Sequence, residues 1–226
     1  MNYLNKYLFP IYAVILGFLV VRFIKKPEAS TKLLLAFSGA FLLSLTIFNP
    51  LPEVYEHLGA KQVGLFIMIG ILLQIFLEFF SQGAEHGHIH SHSHSKTFPW
   101  VLFTSLCIHA FLEGFPIHQH NDMVYGVLIH KIPIALLITS FLYQSHFKDW
   151  QVILALLFFA VMTPLGTYIS NVYMPNSEYL PYINAVVIGI FLHISTVILF
   201  ESSEGHKFNL GKLLAITSAV AIAYAM

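Results

Sequence analysis

Residues 107–134 read CIHAFLEGFPIHQHNDMVYGVLIHKIPI. Inside an otherwise oily chain this stretch holds His109, Glu113, His118, His120, Asp122, His130 and Lys131. Polar side chains at membrane depth are costly, so they are kept where they serve a purpose. The stretch reads as a hairpin of two helices with a turn at residues 120–122, and its polar groups read as a metal site.

Working outward, the chain has 226 residues, 57% hydrophobic and 10% charged, with a mean hydropathy of +0.75. A soluble domain carries about a quarter charged residues. The composition is that of an integral membrane protein, and residues 1–226 read as a single membrane domain. Formal net charge is zero, so nothing points to nucleic acid as a partner. Cys107 is the only cysteine, which excludes an intrachain disulfide and Cys-rich zinc chemistry. Thirteen histidines stand against eleven Lys and Arg. Five of them, His86, His88, His90, His92 and His94, fall in one short tract, a compositional sign of metal binding.

A helix needs about 20 mostly apolar residues to cross roughly 30 Å of hydrocarbon. Eight segments qualify: 7–24, 31–48, 63–80, 98–117, 123–143, 151–171, 183–200 and 210–226. The first is not expected to be a cleaved signal peptide, because its basic residues Arg22, Lys25 and Lys26 follow the apolar run and no small-residue cleavage pattern succeeds it. The connections after the first, third, fifth and seventh segments hold Arg22, Lys25, Lys26, Lys32, Lys96, Lys148, Lys207 and Lys212, whereas the other side holds Lys6 and Lys61. This bias places the first set in the cytoplasm. Both termini and the hairpin turn then face outward, and the His-rich connection at about 81–97 lies inside. Residues 49–61 and 173–182 read as outer linkers.

His109 and Glu113 are spaced i, i+4, which puts them on one helix face. Glu113 precedes the turn by about as many residues as His130 follows it, so the two lie at similar depth on antiparallel neighbours. Two imidazoles and a carboxylate suit a first-row divalent ion such as zinc. Three ligands leave a position open, as a site that must release its ion requires. Protonation of the imidazoles would weaken the hold. Interhelical hydrogen bonding is the alternative role for such histidines. Pro133 frees a backbone carbonyl near Ile129 and His130, which is tolerated where backbone is buried or lines a cavity.

These motifs resemble those of the ZIP family of metal transporters. IHAFLEG is similar to the family's fourth-helix His-Asn-x-x-Asp/Glu-Gly, and VLIHKIPIA to its fifth-helix His-x-x-Pro-Glu. SGAFLLSLTIFNPLPE resembles the second-helix pattern, Thr163-Pro164-Leu165-Gly166 the sixth, and GIFLHISTVILFE the seventh. The resemblance implies an all-α membrane protein of eight transmembrane helices in a 3+2+3 arrangement, with inverted repeats around the fourth and fifth helices. It implies uptake of a divalent metal ion, zinc foremost, into the cytoplasm across the cell (inner) membrane. The metal is cargo, with no cofactor and no enzymatic activity expected.

The chain departs from the family pattern at Ala110, Lys131, Ile134 and Asn49. Many members carry a two-metal centre, and these positions lack most ligands for the second ion. One metal at His109, Glu113 and His130 is the expectation, with the Lys131 ammonium where the second cation would sit. His193, mid-helix in the seventh segment, is a candidate fourth ligand or an interhelical hydrogen-bonding group. Glu53, Glu56, His57, His118, His120 and Asp122 could attract cations at the outer mouth. Glu78, Glu85, Glu201, Glu204 and His206 flank the inner side.

Two further functions are compatible with these residues. An intramembrane metal-dependent hydrolase would use the open position to activate water, although H-E-x-x-H is absent. A non-transporting metal sensor would bind without flux. Metal selectivity, channel or carrier movement, and oligomeric state are left open, a homodimer among the alternatives.

Overall fold

The computed structural model describes residues 4–23, 28–81, 98–118, 121–175, 177–201 and 210–226. The His-rich tract and the basic residues Lys25, Lys26, Lys96 and Lys207 lie outside the described residues. Among the described residues the chain forms nine α-helices: α1 (Asn5–Phe23), α2 (Glu28–Phe48), α3 (Pro50–His57), α4 (Ala60–Ser81), α5 (Trp100–Leu112), α6 (Met123–Gln144), α7 (Asp149–Tyr173), α8 (Leu180–Glu201) and α9 (Leu210–Ala225). A single 3-10 turn, Pro116–His118, follows α5. Six spans are long and apolar enough to cross a membrane, with α2 and α3 together making one of them. The apolar α5 and α9 are shorter.

The described residues thus form a multi-pass helical bundle. Helices suit this composition because they satisfy their backbone groups internally, and a bilayer offers none of water's compensating hydrogen bonds. Large apolar side chains such as Leu65, Leu72, Phe76, Leu154 and Phe158 are exposed on the outside of α4 and α7, as a lipid-facing surface requires.

Two expected boundaries move. Residues 49–61 were expected to be linker, but Pro50–His57 is helical. Pro50 stands at its first position, where a missing N–H costs nothing, and Val54 packs with Val63 and Ile188. The helix expected over 98–117 ends at Leu112. Gly114 weakens its continuation, and Pro116 disfavours helical backbone at Phe115. With 13 residues, α5 is about 20 Å long, short of the hydrocarbon thickness.

Neighbouring helices pair closely where glycine removes the side chain. In α4 and α8, Phe66 meets Tyr182, Gly70 meets Val186 and Gly189, and Glu78 meets His193. The contacts advance together, so these helices run in the same direction. By the same logic α1 is parallel to α6, through Phe9–Tyr125 and then Gly17–Ala135. Likewise α5 is parallel to α7, through Phe103–Phe158 and then Gly114–Gly166. Close backbone approach of this kind drives helix association in lipid, where apolar burial gives no net force.

A Cβ at Gly189 would collide with the Ile67 carbonyl, whereas one at Gly64 would meet nothing. Gly189→Ala is therefore expected to destabilise the bundle by about 1–3 kcal/mol. Gly64→Ala is expected to be neutral or to stabilise α4 by about 0.5–1 kcal/mol. Thermal unfolding of the purified variants checks the contrast.

Candidate metal centre

His109 lies in the last turn of α5, and Glu113 is the residue at which that helix ends. Their i, i+4 spacing puts both on the face turned toward α6. The last turn tightens as it ends: Glu113 N donates to His109 O, Gly114 N to Phe111 O and Phe115 N to Leu112 O. Beyond this point carbonyls must find partners outside the helix. Three hydroxyls of α7 supply them. Thr163 Oγ1 lies 2.8 Å from Ala110 O, Thr167 Oγ1 2.9 Å from Gly114 O, and Ser170 Oγ 3.2 Å from Phe115 O. All three hydroxyl residues are buried.

From α6, His130 comes to face this end of α5. Its ring centroid is 6.2 Å from that of His109, with the planes at 84°. His109, Glu113 and His130 are the group of three among the described residues whose ligand atoms could hold a metal ion, all within 4.8 Å of one another. His109 Nε2 and Glu113 Oε2 are 3.5 Å apart. Tetrahedral zinc at about 2.0–2.1 Å from each ligand would place ligand atoms roughly 3.3 Å apart. Modest side-chain rotation therefore closes the group around one ion. Each of the three is at most 1% exposed.

Next to His130, Lys131 is buried as well. Its ammonium pairs directly with Glu113 Oε1 and donates to Thr163 Oγ1 at 2.7 Å. It also lies 4.4 Å from the centre of the Phe159 ring, a favourable position for a cation. Thr163 Oγ1 is in turn 2.7 Å from Glu113 Oε1. A hydroxyl has one proton and two lone pairs. Thr163 accepts from Lys131 and so donates its single proton to either Glu113 or Ala110 O. One oxygen of Glu113 is thus held by Lys131, with the Thr163 hydroxyl 2.7 Å away. The other, Oε2, accepts no hydrogen bond among the described residues.

His193, a candidate fourth ligand or interhelical hydrogen-bonding group, stands outside this group. Its Nε2 is 2.7 Å from Glu78 Oε2, bridging α8 and α4. At the hairpin end of the bundle, Glu53, Glu56, His57 and Asp122 line a common hollow with Asn49 and Asn121. Glu53 and His57 also border a second hollow with Glu178 and Asn184. His120, Glu85, Glu204 and His206 lie outside the described residues, and the side chains of His118 and Glu201 do as well.

Thr163 escaped the sequence as a site residue. Its signal was the Thr163-Pro164-Leu165-Gly166 run, in which Gly166 admits α5. A Cβ there would collide with the Phe111 carbonyl, and one at Gly114 with the Thr163 carbonyl.

The described residues form a multi-pass helical bundle that gathers two histidines and a carboxylate in its interior, the donor set of a divalent metal site. Residues 81–225 match the family described as Zip, ZIP Zinc transporter. The chain belongs to the ZIP zinc transporter family. The matched span covers α5 to α9 and includes every member of the buried group, whereas residues 1–80 lie outside it. No curated protein matches the chain.

Two opposite charges at 1% exposure depend on each other. Removing one partner of a buried pair costs about 3–5 kcal/mol, because the other is left uncompensated. Lys131→Met and Glu113→Gln are each expected to lower stability on that scale. The double variant is expected to lose clearly less than the sum. A double-mutant cycle of unfolding free energies in detergent measures this, and additive losses would show that the pair is uncoupled.

Proposed function

We propose that this protein carries a divalent metal ion, zinc foremost, across the cell membrane into the cytoplasm, and that His109, Glu113 and His130 hold the ion midway. The observation that carries this is the convergence of three buried ligands from two helices within 4.8 Å. Family membership supports metal transport. Two neutral imidazole nitrogens and one carboxylate oxygen form the ligand set of open zinc sites.

The 3+2+3 arrangement draws support from which helices touch. Take α1, α2 with α3, and α4 as one repeat, α7 to α9 as the other, and α5 and α6 as the central pair. Exchanging the repeats turns the α1–α6 contact into the α7–α5 contact, and the α4–α8 contact into the α9–α2 contact. The α2–α8 and α1–α7 contacts map onto themselves. All six occur. An inverted repeat with the site on the central helices gives two alternative packings of similar energy, the usual basis of alternating access.

In this mechanism the ion loses part of its water among Glu53, Glu56, His57 and Asp122 at the hairpin end, which the excess of Lys and Arg on the opposite side puts outside. His109, Glu113 and His130 then replace most of the remaining shell. Rocking of the repeats about the central pair opens the group toward the cytoplasm. The backbone break after Leu112 lets Glu113 move without bending a continuous helix. His193, held by Glu78 near the far end of α4, is not needed in this ligand set.

Purified protein in liposomes tests the proposal through uptake of radiolabelled zinc. His109→Ala and His130→Ala are each expected to cut uptake at limiting metal by tenfold or more, and His193→Ala to leave the stoichiometry of binding at one ion. Uptake equal to the parent in both site variants would remove the site. Binding without flux in the parent protein would make it a metal sensor rather than a carrier.

A further inference from the structure

Glu113 is a carboxylate with its two oxygens in unlike surroundings. Oε1 is paired with the Lys131 ammonium and lies 2.7 Å from Thr163 Oγ1. Oε2 is buried, accepts no hydrogen bond among the described residues, and faces His109 Nε2 at 3.5 Å. We infer that Lys131 and Thr163 form a lock that makes Glu113 a one-oxygen ligand, and that this lock selects small four-coordinate ions over larger ions that seek more oxygen. The inference rests on the reading of His109, Glu113 and His130 as the ion site.

The chemistry follows from coordination number. A zinc-like ion is satisfied by two nitrogens, one oxygen and a water in a tetrahedron. Manganese favours six ligands, mostly oxygen, and gains from a carboxylate that turns both oxygens inward, as calcium does. With Oε1 paired to the ammonium and the Thr163 hydroxyl 2.7 Å away, that turn requires breaking the charge-assisted pair and displacing the hydroxyl in a dry interior. The threonine matters because its one proton is shared between Glu113 and Ala110 O while its lone pair receives Lys131. It fixes ammonium and carboxylate relative to the end of α5 at once. Thr163 is thus a positioning residue, acting on the ion only through Glu113.

The experiment is equilibrium competition between zinc and manganese on the purified full-length protein, with visible absorption of the cobalt(II) form as a second readout. Four-coordinate cobalt(II) absorbs strongly in the visible and six-coordinate cobalt(II) weakly. Thr163→Val removes the hydroxyl without changing charge or size. It is expected to lower the zinc-to-manganese affinity ratio about tenfold, the worth of one hydrogen bond to a charged group, and to weaken the cobalt bands. Thr163→Ser keeps the hydroxyl and is expected to restore both.

Should the valine variant fail to fold, Thr163→Ala provides the same test on the folded fraction, and Lys131→Met an independent one. Loss of its charge strengthens binding of every dication, so the ratio is the quantity to compare, and it should fall as well. An unchanged ratio and cobalt spectrum in the folded variants would overturn the lock, as would weak six-coordinate bands in the parent protein. The site beneath it is judged separately: zinc binding that survives both His109→Ala and His130→Ala defeats the site. Binding lost in those two, with a zinc-to-manganese ratio indifferent to residue 163 and residue 131, defeats the lock alone.

Discussion

At Gly114 and Gly166 the backbones of α5 and α7 touch, because neither position has a side chain to hold them apart. That contact decides where α5 can stop. A helix ending inside a membrane leaves carbonyls without partners, and each costs several kcal/mol in hydrocarbon. Here Thr163, Thr167 and Ser170 are close enough to donate to Ala110, Gly114 and Phe115. The three hydroxyls are spaced i, i+4 and i+7 and lie along one face of α7. A single helix face therefore meets three carbonyls around the end of α5. Had α7 been held one side-chain diameter further away, those hydroxyls would fall short and α5 would have to continue or unravel.

Ending the helix at Leu112 in turn shapes the proposed ion site. Glu113 sits at the cap, where its backbone no longer belongs to a rigid ladder, while His109 one turn earlier is still anchored within α5. His130 and Lys131 come from α6, which stays helical across Pro133 from Met123 to Gln144. The site thus joins a fixed histidine on each helix with a carboxylate at a backbone break. In the proposed transport this combination would permit small adjustments around an ion without disturbing the glycine-mediated packing that holds α1 to α6, α4 to α8 and α5 to α7.

Much of this was legible in the sequence, for identifiable reasons. The i, i+4 spacing of His109 and Glu113 is local, and the depth match with His130 follows from counting outward from a turn. Both therefore needed no tertiary information. The end of α5 was legible too, in Gly114 and Pro116, but the hydrophobic run through Ile117 outweighed them. The helix at Pro50–His57 was hidden by its polarity, since Glu53, Glu56 and His57 look like loop until Val54 is seen to pack against Val63 and Ile188. Contacts between distant positions were not legible. Thr163 is 50 residues from Glu113, and Glu78 is 115 from His193, and neither separation follows any periodicity. Lys131 was read as a cation standing near the site. That its ammonium pairs with Glu113 itself depends on the packing of α6 against α5 and α7.

The direct pair between Lys131 and Glu113 alters the electrostatics of the site. Two neutral imidazoles, one carboxylate and one ammonium sum to zero, so the empty site carries no net charge to be stabilised in a low-dielectric interior. A lone carboxylate there would be costly to keep ionised. The same balance limits how firmly a dication can be held, because Lys131 already uses part of the attraction that Glu113 offers and repels the arriving ion. A site built for storage would gain from removing that lysine. In the transport proposed above the lysine has a use, since its ammonium pairs with one carboxylate oxygen and leaves Oε2 to the ion, so that release would not leave the carboxylate wholly unpaired. Charge balance and, in the proposed transport, ease of release are thus two consequences of one contact, beside which Thr163 stands within hydrogen-bonding distance of Lys131, Glu113 and Ala110 O.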